Sequence, residues 1–427
     1  MPLHATRRAG ALPLPRFALF LILALVAATI APAGAQRARR PEPEPQPQPE
    51  VRALWVARTS LTSPASVAAM VQAAQAGGFN TLLVQVRGRG DSYYSDGLEP
   101  RAAALAAQPE AFDPLAATLA LAHQRRIRVH ARVNVNLVSS AVELPLDRSH
   151  VIYRRPEWLM VPRALAREMV LLDPRSLLYL DKLTRWVRSQ PAEAEGLYTT
   201  PIPAEAQDRT VAVVADLVSR YPLDGLHLDY VRYPNDEFDY CRESLLAFKA
   251  DVVGGLDDGE RRRFDQSIGI DLVGWTEAFP ERWREYRRER LTQLVQRLRE
   301  SARARRPGMV VSAAVSPDAA EAATRRLQDW RTWVDRQLLD VVCPMAYATD
   351  VTGFTEQIAA AREGAGDRPL WAGIGAYRLS SAQTIENIHI ARRLGASGIV
   401  LFSYDSLVSP PNGPAYLSQV SRAAFGG

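Results

Sequence analysis

Eight short apolar runs, each set apart from the next by a segment of helical spacing, constrain this chain more than any other feature of its sequence. They are Arg52–Arg58, Thr81–Arg87, Ile127–Asn134, Gly225–Tyr230, Met309–Val315, Leu339–Tyr347, Pro369–Gly375 and Gly398–Tyr404. Between them lie the helical stretches Pro64–Ala76, Pro114–Gln124, Asp208–Tyr221, Arg284–Ala304, Ala319–Gln337, Thr355–Gly364 and Gln383–Leu394, several with apolar residues at i, i+3 and i+4. Alternation of this kind marks parallel strands joined by crossover helices, and eight strands suffice to close a sheet on itself. The predicted fold is α/β, a (β/α)8 TIM barrel. Residues 135–207 and 231–283 become long strand-to-helix loop insertions on the face where such barrels carry their sites.

The 427 residues are 47% apolar and 23% charged, the balance of a folding chain. Residues 1–50 hold six arginines against three glutamates, so +3 of the formal +5 sits before the barrel and the body is nearly neutral. That argues against nucleic acid as a partner. The basic stretch at residues 281–306 interleaves Arg282, Arg284, Arg287, Arg288 and Arg290 with Glu281, Glu285 and Glu289, which reads as a solvated helix face.

The N-terminal segment has Arg7, Arg8 and Arg16, then an apolar run Phe17–Ile30, then Ala31-Pro-Ala-Gly-Ala35. Those three parts predict a signal peptide over 1–35, cleaved to leave no stable membrane span, and hence an exported protein, periplasmic or secreted. The run RARRPEPEPQPQPE cannot build a core and predicts a Pro/Glu/Gln-rich linker over 36–50, leaving 51–427 as the barrel domain. Cys241 and Cys343 lie far apart, and no disulfide is expected. The six histidines are scattered with no HxxxH or CxxC, so no metal and no cofactor are expected. A GxSxG elbow is also missing.

Strand alternation sorts the candidates. In the fourth run His227 and Asp229 should face the barrel axis, with Asp229 one step nearer the carboxyl end, and Asp224 should be a strand-entry residue. An inward carboxylate there is costly unless used or paired. In the third run His130, Arg132, Asn134 and Asn136 share one register, and Arg132 suits an inner acid as its partner. The second run ends in Gln85, Arg87 and Asp91, followed by Tyr93 and Tyr94, residues able to bond ring hydroxyls and stack on a sugar face. Its glycines fit neither GxGxxG nor GxxxxGK[ST]. Met345 and Tyr347 share a face of the sixth run with Asp350 just beyond, and Trp371, Tyr377, Phe402 and Tyr404 lie at or near the ends of the last two. Arg232 and Tyr233, just past Asp229, join the substrate-binding candidates.

In this order the segments Arg52-Ala-Leu-Trp55, Phe79-Asn-Thr-Leu-Leu-Val-Gln-Val-Arg87, Gly90-Asp91, Phe112-Asp-Pro-Leu115, Val129-His130, Pro156-Glu-Trp-Leu159, Leu172-Asp-Pro174 and Asp224–Pro234 resemble the glycosyl hydrolase-like 10 family. Trp283-Arg284, Arg288-Glu289, Ser316-Pro317, Gln328-Asp-Trp330 and Phe402-Ser-Tyr404 continue the resemblance, which spans residues 51–408. It implies a barrel glycosidase acting on an envelope polysaccharide, with peptidoglycan glycan strands as the substrate class. A fainter likeness to family 18 chitinases covers Asp224-Gly225, Asp229, Met345 and Tyr347, but His227 and Val231 stand where that pattern has an Asp and its acidic Glu.

Glycoside cleavage needs a proton donor and a group on the other side of the sugar. Asp229 is the first choice for the catalytic carboxylate. Its partner is open among Asp350, Asp91 and Asp318, in that order, with Glu277 behind them; Tyr347 suffices if an N-acetyl sugar supplies its own nucleophile. The rival expectation is a barrel that binds glycan without cutting it.

Overall fold

The computed structural model describes residues 49–410, 413 and 415–426. The predicted signal peptide and the linker up to Gln48 lie outside the described residues. No helix among the described residues is long and apolar enough to cross a membrane.

All eight runs form strands: β1 (Val51–Val56), β2 (Thr81–Arg87), β3 (Arg128–Asn134), β4 (Gly225–Asp229), β5 (Val310–Val315), β6 (Val341–Ala346), β7 (Trp371–Ile374) and β8 (Gly398–Phe402). They pair in parallel around a closed ring in chain order, with β1 sealing against β8 through Val51 opposite Gly398 and Trp55 opposite Phe402. Side chains of alternate residues therefore fall into two cores. Leu54, Val84, Val129, Leu226, Leu228 and Val311 face outward into the layer beneath the helices. Val51, Ala53, Trp55, Leu83, Ala314, Val341, Cys343, Trp371 and Val400 fill the interior.

The interior carries two indoles, and glycine makes their room. A Cβ on Gly398 would come within 2.5 Å of the Trp371 ring, and one on Gly373 within 2.6 Å of the Trp55 ring. Trp371 begins β7 and pairs with the first residue of β8, so it lies in the barrel floor beside His130, ring to ring at 5.6 Å.

Several helices start from an aspartate or serine whose side chain accepts a backbone N–H of the first turn, among them Ser63, Asp113, Asp318, Asp329, Asp350 and Ser380. Each such cap contributes about 1 kcal/mol.

The insertion after β3 contains an antiparallel pair, Leu137–Ser139 with Leu197–Tyr198. The one after β4 packs Tyr240, Phe248, Trp275, Trp283 and Tyr286 into a core of its own. The long helix Pro280–Arg305 is not the uniformly solvated face expected. Arg287 is buried and donates to the carbonyl oxygens of Asp236 and Phe238, while Arg282, Arg297 and Arg336 reach Asp251, Asp208 and Glu289 across elements. Both cysteines are buried and unpaired.

Candidate active site

The carboxyl end of β4 delivers Asp229 to the barrel mouth, and the neighbouring β3 delivers Arg132 to meet it. Arg132 donates to Asp229 Oδ2 from Nε at 2.7 Å and its Nη2 lies 2.6 Å from the same oxygen as an ion pair, while the backbone N–H of Tyr230 donates to Oδ1 at 2.7 Å. Burial alone would push the Asp229 pKa up. The guanidinium groups of Arg132 and Arg232, the nearby His227 and the hydrogen bond from Arg132 outweigh it and hold the carboxyl below its usual range. At neutral pH Asp229 is an anion.

One layer deeper, Trp55 Nε1 donates to His227 Nε2 at 3.0 Å, and His227 Nδ1 lies 2.9 Å from Ser312 Oγ. An indole N–H only donates, so Nε2 carries no proton and the ring is the neutral Nδ1–H tautomer donating to Ser312. Burial lowers its pKa to about 3. Below it, burial likewise brings His130 down to about 3.

Asp229 opens on a cavity of about 370 Å³ lined by Trp55, Arg132, Tyr230, Arg232, Ala314, Ser316, Pro317, Met345, Tyr347 and Phe402. Tyr347 stacks on Phe402 at 5.6 Å and meets the Trp55 edge at 6.5 Å, and the Arg132 guanidinium lies 5.7 Å over the Phe402 ring. Burial keeps the Tyr347 and Tyr230 phenols above their ordinary pKa, so both are neutral. Aromatic walls around an ion pair suit a sugar, whose ring has apolar faces and a hydroxylated rim.

Two other hollows share no lining residue with this one. One of about 490 Å³ lies in the β3 insertion, between Ala141 and Arg188. The other, a groove of about 710 Å³, runs past Arg58, Arg89, Asp91, Tyr93, Ser139 and His150.

The family described as Glycosyl hydrolase-like 10 matches residues 50–387, which takes in seven of the eight strands and the whole cavity except Phe402. This chain belongs to the glycosyl hydrolase-like 10 family. Among curated relatives it is 24% identical over 295 residues to the Glycosyl hydrolase DigH of Escherichia coli strain K12, covering 63% of this chain and 55% of that one. It is 22% identical over 290 residues to the Glycosyl hydrolase YngK of Bacillus subtilis strain 168, covering 63% and 46%. The match thus spans about half the length of those relatives. Among solved structures, the PgaB (BpsB) glycoside hydrolase domain of Bordetella bronchiseptica aligns with a TM-score of 0.60 at 15% identity, over 87% of this chain and 99% of that one. An α-L-fucosidase isoenzyme 2 of Paenibacillus thiaminolyticus aligns at 0.56 and 16%, over 88% and 49%. The barrel is the part that these glycoside hydrolases share with the family member described here.

Of the residues singled out in the sequence, Asp229, Arg132, Arg232, Met345, Tyr347 and Phe402 converge on the cavity, and His227 supports it from below. The others serve elsewhere. Asp350 is exposed, accepts from Gly353 N as the cap of helix Val351–Ala365, and is not among the residues lining the cavity. Asp318 caps helix Ala319–Arg325 in the same way. Asp91 accepts from the backbone N–H of Gly88 and Arg89, shaping the loop after β2 in the separate groove. Glu277 pairs with Arg163 and Arg167 on the surface.

Arg87 is buried against Glu99, with Nε and Nη2 at 2.6 and 2.7 Å from its oxygens, and also donates to the carbonyl of Asn134. Gln85 donates to Asn134 Oδ1, Asn134 to Gly88 O, and Asn136 to Arg232 O, a network that braces the β2, β3 and β4 ends instead of lining the cavity. Tyr233 is buried with its hydroxyl on Arg287 O, Trp371 lies in the floor, and Tyr404 packs outside the barrel in the helix layer. None of these three reaches the cavity.

Tyr230 and Ser316 were not selected by alternation. Tyr230 follows the last residue of β4 and turns toward the mouth through a left-handed backbone, φ 48°. Its signal in the sequence is only its place beside Asp229.

Proposed function

We propose that this protein is an exported glycoside hydrolase acting on a bacterial envelope polysaccharide, with peptidoglycan glycan strands as the substrate. The observation that carries the reading is an ionised carboxylate, Asp229, buried at the mouth of a barrel among aromatic walls. A glycosidic transition state puts positive charge on the anomeric carbon, and a fixed anion in a water-poor site stabilises that charge as it develops. Asp229 is the sole carboxylate among the cavity's lining residues. A single carboxylate favours an N-acetyl sugar, whose acetamido oxygen attacks the anomeric carbon from within the substrate. Asp229 then orients the acetamido N–H and balances the cyclic cation. The neutral Tyr347 and Tyr230 hydroxyls are the lining hydrogen-bond donors to the departing oxygen, which takes its proton from water; a second water adds to the anomeric carbon, opens the ring of that cation and restores the acetamido group. Support for export comes from the basic, apolar and small-residue pattern of residues 1–35.

The second reading is a barrel that holds glycan without cutting it. It is favoured by Val231, fully buried where a chitinase would carry its acid, and by the lack of a second lining carboxylate. Incubating the purified protein with peptidoglycan strands stripped of their stem peptides separates the two. New reducing ends and shorter strands, absent with Asp229→Asn, support hydrolysis. Retention of the strands with no new ends from either protein supports the binding barrel.

A further inference from the structure

The ladder between β4 and β5 stops at Leu228 opposite Ala313. Past that point the two strand ends part around the cavity, with Asp229, Tyr230 and Arg232 lining it on one side and Ala314 and Ser316 on the other. The gap is bridged by the fully buried amide of Gln328. Its Oε1 accepts from Ser316 N at 3.0 Å, and its Nε2 donates to Val231 O at 3.2 Å and to Ala314 O at 3.1 Å. Both amide protons are used and the carbonyl has a donor, so the partners fix which way the amide points. Trp330 Nε1 meanwhile donates to Ser316 O at 3.0 Å, and Gly364 makes room for that indole: a Cβ there would lie 2.3 Å from its ring. Leu327, just before Gln328, has a left-handed backbone at φ 50°, a costly setting for a residue with a side chain and one that persists where the surrounding contacts over-determine it.

Both backbone polar groups of Ser316 are thus clamped, and its side chain is left over. Ser316 follows Ser312 and Ala314 on the inward register, one residue past the end of β5. Ser312 has His227 as its partner, whereas the half-buried Ser316 has no hydrogen-bond partner for its hydroxyl among the described residues, and that hydroxyl keeps accessible surface. Water could satisfy the backbone of a residue at a cavity rim; two buried side chains committed to it instead fix where its hydroxyl stands. A hydroxyl both donates and accepts, the same two capacities that a sugar hydroxyl has. We infer that Ser316 is a sugar-contacting residue of the Asp229 cavity and that Gln328 is the residue that positions it. This rests on the proposed sugar site and adds to it a fixed polar contact on the β5 side, beside the aromatic walls.

Calorimetric titration of the full chain with denuded peptidoglycan strands tests both parts. Ser316→Ala breaks no side-chain hydrogen bond within the protein, so its thermal midpoint should match the parent's while its affinity falls by about threefold to tenfold, the span of one neutral hydrogen bond. Gln328→Met should weaken binding by a similar factor, and in the Ser316→Ala background it should add less than about twofold, because both changes remove the same contact. Gln328→Glu keeps an acceptor for the Ser316 N–H and should recover part of the loss. A residue that only stabilised the barrel would lower the midpoint without this coupling. If Gln328→Met does not fold, Trp330→Phe, which takes away the indole donor to Ser316 O, replaces it in the cycle. Losses that add in the double variant overturn the role of Gln328. A parent that binds the strands no better than Ser316→Ala does overturns this inference and leaves the sugar site standing, whereas a parent that binds no strands overturns the sugar site and this inference with it.

Discussion

The indole of Trp55 and the imidazole of His227 are joined by a 3.0 Å hydrogen bond across the barrel axis, with β1 giving and β4 receiving. Because the indole can only donate, this contact fixes the protonation of His227 and removes it from acid–base work. The residue two positions before Asp229 is therefore a support for the cavity floor and not a second catalytic group.

Stability should fall as pH drops from about 6.5 toward 3. Both His130 and His227 are neutral in the folded state, with pKa values brought to about 3 by burial, whereas the unfolded chain protonates its histidines near 6.5. In that window the unfolded state binds protons the native state refuses, which costs roughly 1.4 kcal/mol per pH unit for each histidine. Urea midpoints measured between pH 7 and 4 should slope accordingly. A flat profile would contradict the neutral assignment.

Asp229 titrates in a different window. Its folded pKa is held below the ordinary carboxylate range, so its contribution is complete above about pH 4 and is lost as pH falls through the lower folded value. Arg132→Met removes the principal partner and leaves a buried anion, which should cost about 3–5 kcal/mol by denaturant titration. In the same variant the acid limb of strand cleavage should move to higher pH. Replacing both residues, Arg132→Met with Asp229→Asn, should recover much of the stability while activity stays lost.

How much of this was readable in advance follows from what each residue's neighbours are. The eight strands and the inward direction of Asp229 and Arg132 depend on period and alternation, which are local, and all were recovered. An aspartate just past a strand is equally the cap of the next helix, as Asp350 and Asp318 are; the two roles share one sequence signal, and only the accepted N–H groups of Gly353 and Glu321 reveal the capping one. Arg87 looked like a ligand because its partner, Glu99, comes from an irregular loop with no periodicity to place it. Trp371 shares its run with residues near the strand end, but as the first residue of a four-residue strand it lies in the floor.

Asp350→Ala should cost about 1 kcal/mol of stability through the lost cap and leave strand cleavage unchanged. Thermal unfolding and a rate assay on the same preparation check both parts. A large loss of rate in a folded Asp350→Ala protein would return it to the chemistry.

Glu99→Gln should be much more damaging to stability than its loop position suggests. It strips the buried Arg87 of its charge partner, for which about 3–5 kcal/mol is expected, and loosens the carbonyl of Asn134 that Arg87 holds beside the β4 end. Equilibrium unfolding in urea gives the value, and a loss below about 1 kcal/mol would mean that the pair is dispensable.

The most direct measurement is a crystal structure of Asp229→Asn with a bound oligosaccharide of denuded peptidoglycan. Expected is a sugar seated among Trp55, Tyr347 and Phe402, with an anomeric carbon or its acetamido group about 3–3.5 Å from the residue-229 side chain, the distance of a reacting arrangement. A saccharide lying instead in the groove beside Asp91 and His150, with the Asp229 cavity empty, would contradict the assignment of that cavity as the active site.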